Sequence, residues 1–269
     1  MRLGGFVIHG NAAGDLDRCL ASLAAVTDEQ VAVDSGSTDG SAAIAAAHGA
    51  RRVDLPWQGY GAARAAAAAA LAGCDYVFFL DSDEWLLPEA IDALRAWKGS
   101  APAAPYYLLR RRDWAELPGH RFLFGEERHV RIFRRGMATW TPRQIVHEAL
   151  PRTGAVETGI RIEHRFATSL EAFHAKETRY ALLWAVQAHA EGKRPKWPPA
   201  QRVAHALRLG LGRGAVRRGG LDAWRLAWGF GRYHALKHAQ LRALRDGARP
   251  ELVRAYAEGR LADLYRLLA

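Results

Sequence analysis

Tyr76-Val77-Phe78-Phe79-Leu80 runs without interruption into Asp81-Ser82-Asp83-Glu84. Five consecutive apolar or aromatic residues do not alternate, so they read as a strand covered on both faces, the kind found in parallel sheets. Open α/β sheets place their ligands at the carboxyl ends of such strands. Carboxylates gathered there repel one another. A divalent cation with a phosphate attached relieves that repulsion, since Mg2+ and Mn2+ favour a few carboxylates plus phosphate oxygens. Taken alone, Asp-x-Asp reads equally well as a strand end with solvated acids.

The surrounding pattern extends the α/β reading. Leu3 to Ile8 predicts a strand, and Leu16, Cys19, Leu20 and Leu23 share one helical face. Val31-Ala32-Val33 is a second strand ending at Asp34, and Arg51 to Leu55 a short third. An Ala-rich helix precedes Gly49, a nearly all-Ala helix covers Ala62 to Ala72, and Pro88 opens another helix. This order predicts a mostly parallel, doubly wound sheet. Beyond Gly99 the sequence predicts strands over Tyr106–Leu109 and His129–Phe133. From Ser169 onward it predicts helices, including Pro199–Leu211 and Leu221–Leu244, separated by the Gly- and Arg-rich segment 213–220. The expected organisation is therefore residues 1–168 as an α/β domain in two halves, 1–99 and 100–168, then a helical extension over 169–269.

Charge follows the same division. Residues 1–99 hold 7 Lys/Arg against 13 Asp/Glu, residues 100–175 hold 12 against 8, and residues 176–269 hold 19 against 7. An acidic front suits a metal, and a basic tail suits an anionic surface, phospholipid or nucleic acid. Cys19 and Cys74 are the only cysteines, and both read as buried thiols in a reducing compartment. No Cys/His spacing predicts a zinc site. The start leads directly into a strand, and no apolar run approaches the ~20 residues that span a bilayer. The expected location is cytoplasmic.

Asp34 opens Asp34-Ser35-Gly36-Ser37-Thr38-Asp39-Gly40. A carboxylate at a strand end, beside small hydroxyl residues and a helix N-terminus, suits a nucleotide: it accepts from a base N–H or a ribose hydroxyl. Helix capping is the competing reading, for Asp39 above all. There is no Gly-x-Gly-x-x-Gly and no P-loop lysine, which excludes the usual dinucleotide and ATPase patterns.

Together these segments resemble glycosyltransferase family 2. The likeness rests on Asn11, Leu16 and Cys19-Leu20; on Val33 to Gly40; on Trp57-Gln58-Gly59-Tyr60-Gly61; and on Phe79 to Glu84. It continues through Arg131 to Arg135, Val146-His147-Glu148, and Gly219 to Trp224, which points to the bacterial lipopolysaccharide-core, β-1,4-glucosyltransferase-like branch. The resemblance implies a GT-A fold with a helical C-terminal extension, a nucleotide-sugar donor, a divalent metal (Mg or Mn) and inversion at the anomeric carbon. By position, Asp34 would contact the nucleobase, with Ser35 and Asp39 beside it. Asp81 would lie near ribose and metal, Asp83 would bind the metal, and Arg64 would meet base or phosphates. Two family-typical residues are missing. Ala12 and Ala13 stand where an acid usually follows the strand-one Asn, and Ala65 stands where an Asn usually follows the basic residue.

Val146-His147-Glu148 supplies a proton acceptor. A positioned carboxylate that deprotonates an attacking hydroxyl contributes roughly 10²–10⁴-fold. Glu148 is the expected base, with His147 and Arg131 assigned to acceptor or phosphate. His164 reads as a structural histidine. In the tail, Trp224, Trp228, Phe230 and Tyr233 interleave with Arg225, Arg232, Lys237 and Arg242, which fits either an interfacial helix on anionic lipid or plain packing. The leading expectation is transfer of glucose from UDP-glucose to a lipid-linked glycan, the lipopolysaccharide inner core, by a protein peripheral to the inner membrane. Another envelope glycan or donor is the alternative within the class. A non-catalytic nucleotide-sugar- or nucleic-acid-binding relative is the alternative outside it, although no nucleic-acid fold is recognisable.

Overall fold

Tyr76–Asp81 is a strand covered on both sides, and the unit around it follows from that. The computed structural model describes residues 1–146 and 148–268. They fall into two units. The first comprises Met1–Arg112, Glu126–Pro142 and His147–His164; the second comprises Asp113–Gly125, Arg143–Val146 and Arg165–Ala269.

In the first unit the order is β1 (Leu3–His9), α1 (Ala13–Ala24), β2 (Glu29–Asp34), α2 (Ser41–Ala47), β3 (Arg51–Asp54), α3 (Tyr60–Ala70), β4 (Tyr76–Asp81), β5 (Glu84–Trp85) and α4 (Pro88–Gly99). Then come β6 (Tyr106–Leu117), β7 (His120–Arg134) and β8 (Ala155–Ala167), whose ends run into the second unit. The sheet order is β3-β2-β1-β4-β7-β6-β8-β5. β1 pairs in parallel with β2 and β4, and β2 with β3. β4 pairs antiparallel with β7, and β5 with β8. Because side chains alternate along a strand, β4 feeds both faces of the sheet. Tyr76, Phe78 and Leu80 join Leu16, Leu20 and Leu94 on one side; Val77 and Phe79 join Ala63, Ala67 and Leu71 on the other. This is the GT-A arrangement expected of the sequence.

The second half of the sheet is longer than its sequence suggests. β6 and β7 extend well past the predicted strands, and β8 was not expected. Charged residues interrupt the apolar pattern there, but cross-strand ion pairs satisfy them. Arg110 and Arg128 both donate to Glu157, at 3.0 and 2.9 Å, and Arg112 lies 3.2 Å from Glu163.

The second unit contains α5 (Leu170–Ala190), α6 (Pro198–Leu207) running into a π-helical turn (Arg208–Gly212), α7 (Ala215–Arg245), α8 (Pro250–Ala257) and α9 (Leu261–Leu267). Ser169 caps α5 by accepting from the Ala172 N–H at 3.0 Å. The expected break over 213–220 is smaller than predicted: α7 begins at Ala215 and absorbs Gly220 as a kink with φ 53°. The hairpin tip is part of this unit. Phe122 and Phe124 pack with Phe173, Ala223 and Leu226, and Arg218 donates to the Leu123 and Phe124 carbonyls at 2.7 Å each.

α6 and α7 meet through small residues. A Cβ on Gly231 would stand 2.2 Å from the Arg202 carbonyl oxygen, and one on Gly210 would stand 2.9 Å from the Trp224 ring. Both contacts are closer than side chains allow. Gly231→Ala must therefore push α6 off α7. The expected loss is about 1–3 kcal/mol of unfolding free energy, measured by chemical denaturation; an unchanged midpoint would contradict this packing.

Candidate active site

The carboxyl ends of β1, β2 and β4 lie side by side, because His9 is in register with Asp34 and Ile8 with Asp81. At the β2 end, Asp34 is buried and accepts from the Gly36 and Ser37 N–H groups at 3.1 and 2.8 Å. Burial alone would raise its carboxyl, but the Ser37 hydrogen bonds outweigh that, and the group stays below the usual range. Its Oδ2 is 3.2 Å from an Arg52 nitrogen, yet no partner reaches it with hydrogen-bond geometry. The Ser35 hydroxyl is likewise buried without a hydrogen-bond partner. Buried polar atoms are rarely left so, and these two are apt for a ligand's N–H or hydroxyl.

The sequence reading passed over His9, which closes the same corner. Its Nδ1 is 3.4 Å from the Ser37 hydroxyl, its Nε2 is buried without a partner, and burial lowers its pKa. The available signal was a polar residue ending an otherwise apolar strand.

Asp39 does what a cap does. Its carboxylate accepts from the Ser41 and Ala13 N–H groups, at 3.0 Å each. The Ser41 hydroxyl first, and then the Ala13 N–H, hold its pKa down. Ala12 donates to the Ser41 hydroxyl at 2.9 Å, so both alanines at the family-atypical positions are tied down through backbone alone. Asn11 adopts φ 51°, which Asn tolerates better than most residues, and its side-chain carbonyl accepts from Thr38 N–H at 2.8 Å.

At the β4 end, two arginines meet the acids. Arg64 on α3 is 2.7 Å from Asp81 and 3.3 Å from Glu148. Arg131 on β7 is 2.9 Å from the other Asp81 oxygen and also donates to Glu84. Glu84 is fully buried, accepts from the Asp81 N–H at 3.0 Å, and has Arg111 3.7 Å away. Burial would raise the Asp81 carboxyl, but Arg131 and Arg64 outweigh it and hold that group far below the usual carboxylate range. Glu84 goes the other way: burial pushes it up, and Arg131 only partly offsets that. Phe79 underlies both guanidiniums, 5.0 Å from Arg64 and 4.8 Å from Arg131. Trp140 packs against Phe79 and anchors Glu148 by donating to its carbonyl at 2.7 Å. The structure thus brings Asp81, Arg64, Arg131 and Glu148 into one chain of contacts. His147 lies outside the described residues.

Asp83 is held differently. The pairing of β5 with β8 sets Glu84 opposite His164, and His164 Nε2 then lies 3.4 Å from Asp83 Oδ2. His164 therefore belongs to the site, a placement that depends on a strand pair the sequence did not reveal. Among the described residues no group of three or more His, Cys, Asp or Glu forms a complete metal site. One carboxylate oxygen and one imidazole nitrogen at this separation nevertheless fit a divalent ion that draws its remaining ligands from phosphate oxygens and water.

The Arg131 bridge generates a test. Removing one partner of a buried ion pair typically costs 3–5 kcal/mol. Arg131→Met should therefore destabilise by about 3–5 kcal/mol near pH 7.5. In the variant Glu84 loses the charge that partly offsets its burial, so its carboxyl is pushed further up; the deficit is complete above that folded-state pKa and shrinks as pH falls and Glu84 takes up a proton. Denaturation of variant and parent at pH 5 and pH 7.5 measures this, and a pH-independent difference would contradict it.

Comparison with known proteins places these features in a family. The family model for glycosyl transferase family 2 matches residues 6–141. The lipopolysaccharide core biosynthesis glycosyltransferase LpsC of Rhizobium meliloti is 32% identical over 234 residues, 78% of this chain and 83% of that protein. An uncharacterised glycosyltransferase of Rickettsia bellii is 25% identical over 210 residues, 72% of this chain and 70% of that one. Glucosyl-3-phosphoglycerate synthase from Mycobacterium tuberculosis, solved with Mn2+, UDP and glucosyl-3-phosphoglycerate, matches at 26% identity with a TM-score of 0.35. That match covers 42% of this chain and 44% of the other, and at that score it carries no argument. The family match and the LpsC alignment suffice: the chain belongs to glycosyltransferase family 2 and is a glycosyltransferase.

Proposed function

We propose that the protein transfers glucose from UDP-glucose, with inversion, to a hydroxyl of a lipid-linked envelope glycan, the lipopolysaccharide inner core, while peripheral to the inner membrane. The observation that carries this reading is the convergence, at the carboxyl ends of neighbouring strands, of an Asp34 oxygen that accepts no hydrogen bond and the Asp81–Arg64–Glu148 chain. The name of the R. meliloti relative supports the choice of acceptor.

Each residue then has a defined task. Asp34 Oδ2 accepts an N–H of the base, and Ser35 offers its hydroxyl beside it. Asp83 and His164 hold the divalent ion. When bound, that ion neutralises charge on the departing diphosphate. Glu148 takes the proton as the acceptor oxygen attacks the anomeric carbon. The bond from that carbon to phosphate breaks as the new bond forms, and the nucleoside diphosphate leaves with the electron pair. Arg64 fixes the Glu148 carboxylate, and Arg131 keeps Asp81 ionised. The aromatic wall of Phe79 and Trp140 keeps water from the guanidiniums, which strengthens both pairs.

Donor binding is tested by thermal shift with nucleotide sugars, with and without Mn2+. A ligand at a hundred times its Kd adds about 2.7 kcal/mol to the native state. UDP-glucose with Mn2+ is expected to give the largest rise. Asp83→Ala should remove the Mn2+-dependent part and abolish transfer, and a variant that transfers at the parental rate would refute the metal assignment.

Glu148→Gln keeps the shape but loses the proton acceptor. Its kcat should fall roughly 10²-fold or more with donor binding near normal. Lost donor binding with unchanged single-turnover chemistry would instead put Glu148 in the nucleotide site.

A further inference from the structure

The second unit turns part of its apolar surface outward. On α6 and the π-helical turn after it, the exposed positions are 199, 200, 203, 204, 207, 208, 211 and 212. This is one helical face, and it carries Pro, Ala, Val, Ala, Leu, Arg, Leu and Gly. Leu211 is 62% exposed and Trp197, just before α6, is 67% exposed. On α7, Leu221 is 63% and Trp228 39% exposed; two turns apart, they too share a face. The opposite side of α6 is occupied by contacts with α7, where Ala206 and Gly210 are buried. Isolated exposed apolar residues are ordinary, but a contiguous set marks an interaction surface.

The charge around this face selects the partner. Residues 192–221 contain Lys193, Arg194, Lys196, Arg202, Arg208, Arg213, Arg217 and Arg218 and not one Asp or Glu. Of these, all but Arg202 are exposed. Arg202 lies over the Trp228 ring at 4.5 Å. A nucleic acid would be met by the arginines and offered nothing by the leucines. An anionic bilayer is met by both, because the apolar face enters the acyl boundary while the basic side chains stay at the headgroups. No helix among the described residues is long and apolar enough to cross a membrane.

This set differs from the one the sequence suggested. Tyr233 and Lys237 are buried, with the Lys237 ammonium 4.4 Å from the Trp184 ring and 4.9 Å from the Tyr233 ring. Phe230 stacks on Phe124 and Phe166. Those residues build the interior of the helical unit.

We infer that the exposed face of α6 and the turn after it, with Val203, Leu207 and Leu211, is an anionic-lipid docking surface on which α6 lies parallel to the membrane. The inference deepens the lipid-linked-acceptor reading, but its test needs neither donor nor acceptor. Flotation with vesicles of phosphatidylglycerol and phosphatidylcholine is compared with flotation on phosphatidylcholine alone, at low and high salt. The parent should bind the anionic vesicles at least tenfold better, less so as salt rises. Leu207→Asp with Leu211→Asp should weaken that binding at least tenfold, with an unchanged circular dichroism spectrum and unchanged Mn2+-dependent thermal shift by UDP-glucose. Arg208→Gln with Arg217→Gln should flatten the salt dependence.

Equal binding to neutral and anionic vesicles, or leucine variants that bind like the parent, would overturn the inference. Retention on single-stranded DNA with no vesicle binding would assign the charge to nucleic acid instead. A parental dimer that the leucine variants dissociate in the absence of lipid would assign the face to a second copy of the chain. Failure of the thermal shift with intact vesicle binding would count against the donor and leave the docking surface standing.

Discussion

The ion-pair cluster beneath Asp81 is the constraint on which the first unit depends. Glu84 is fully buried one residue after Asp83, at the start of β5, just past a strand that is itself buried on both faces. Two acids so close, taken out of water, are tolerable only with compensating charge. Arg131 supplies it from β7 and Arg64 from α3. β7, 50 residues from Asp81 at Arg131, is thereby required to meet the neighbouring α3 and β4. The aromatic packing follows suit: Phe79 stacks on Phe6 at 5.2 Å and Trp140 sets its edge against both, which leaves the guanidiniums a planar apolar floor. Arginine suits this place better than lysine, because one planar fork can serve two carboxylates at once.

That arrangement divides the site into a rigid corner and a charged one. Around Asp34 the geometry is made by loop backbone. The loops after β1 and β2 are laced together by Asn11, Ser37, Asp39 and Ser41, so each side chain caps the other loop. Ala12 and Ala13, where the family usually carries an acid, take part through their N–H groups alone. Around Asp81 the geometry is made by ionised side chains. Arg64 couples Asp81, at the carboxyl end of β4, to Glu148, so movement of either acid is felt by the other. A phosphate-bearing ligand would compete with both for the same guanidinium, which ties the position of Glu148 to the ligand's presence.

Much of this was legible in the sequence, and what was not has a common cause. The parallel strands and their helices announce themselves through local periodicity, and Asp34, Asp81 and Asp83 through their place at strand ends. His164 could not be read that way. Its role depends on β8 pairing with a two-residue strand, and nothing near it in sequence alternates cleanly. The β6–β8 segments hide for the same reason: Arg110, Arg112, Glu157 and Glu163 look like solvated charge until cross-strand partners are known. Glu84, which the sequence shows only as a third acid after Asp-x-Asp, is the most deeply buried of the three.

In the helical unit the periodicity was correct and its interpretation reversed. Val203, Leu207 and Leu211 recur every fourth residue, and the usual inference is that large apolar residues face the core. Here the core-facing side of α6 is made of Ala206 and Gly210, which meet Gly231 and Trp224 at distances no larger side chain permits. Close approach of two helix backbones fills the interface with main chain and leaves no room for leucine. The leucines are therefore displaced to the opposite face. A hydrophobic pattern reports which residues share a face, but the small residues on the other face decide which one turns inward. In α6 that choice leaves apolar side chains in solvent, within a stretch, residues 192–221, whose sequence carries lysine and arginine but no Asp or Glu.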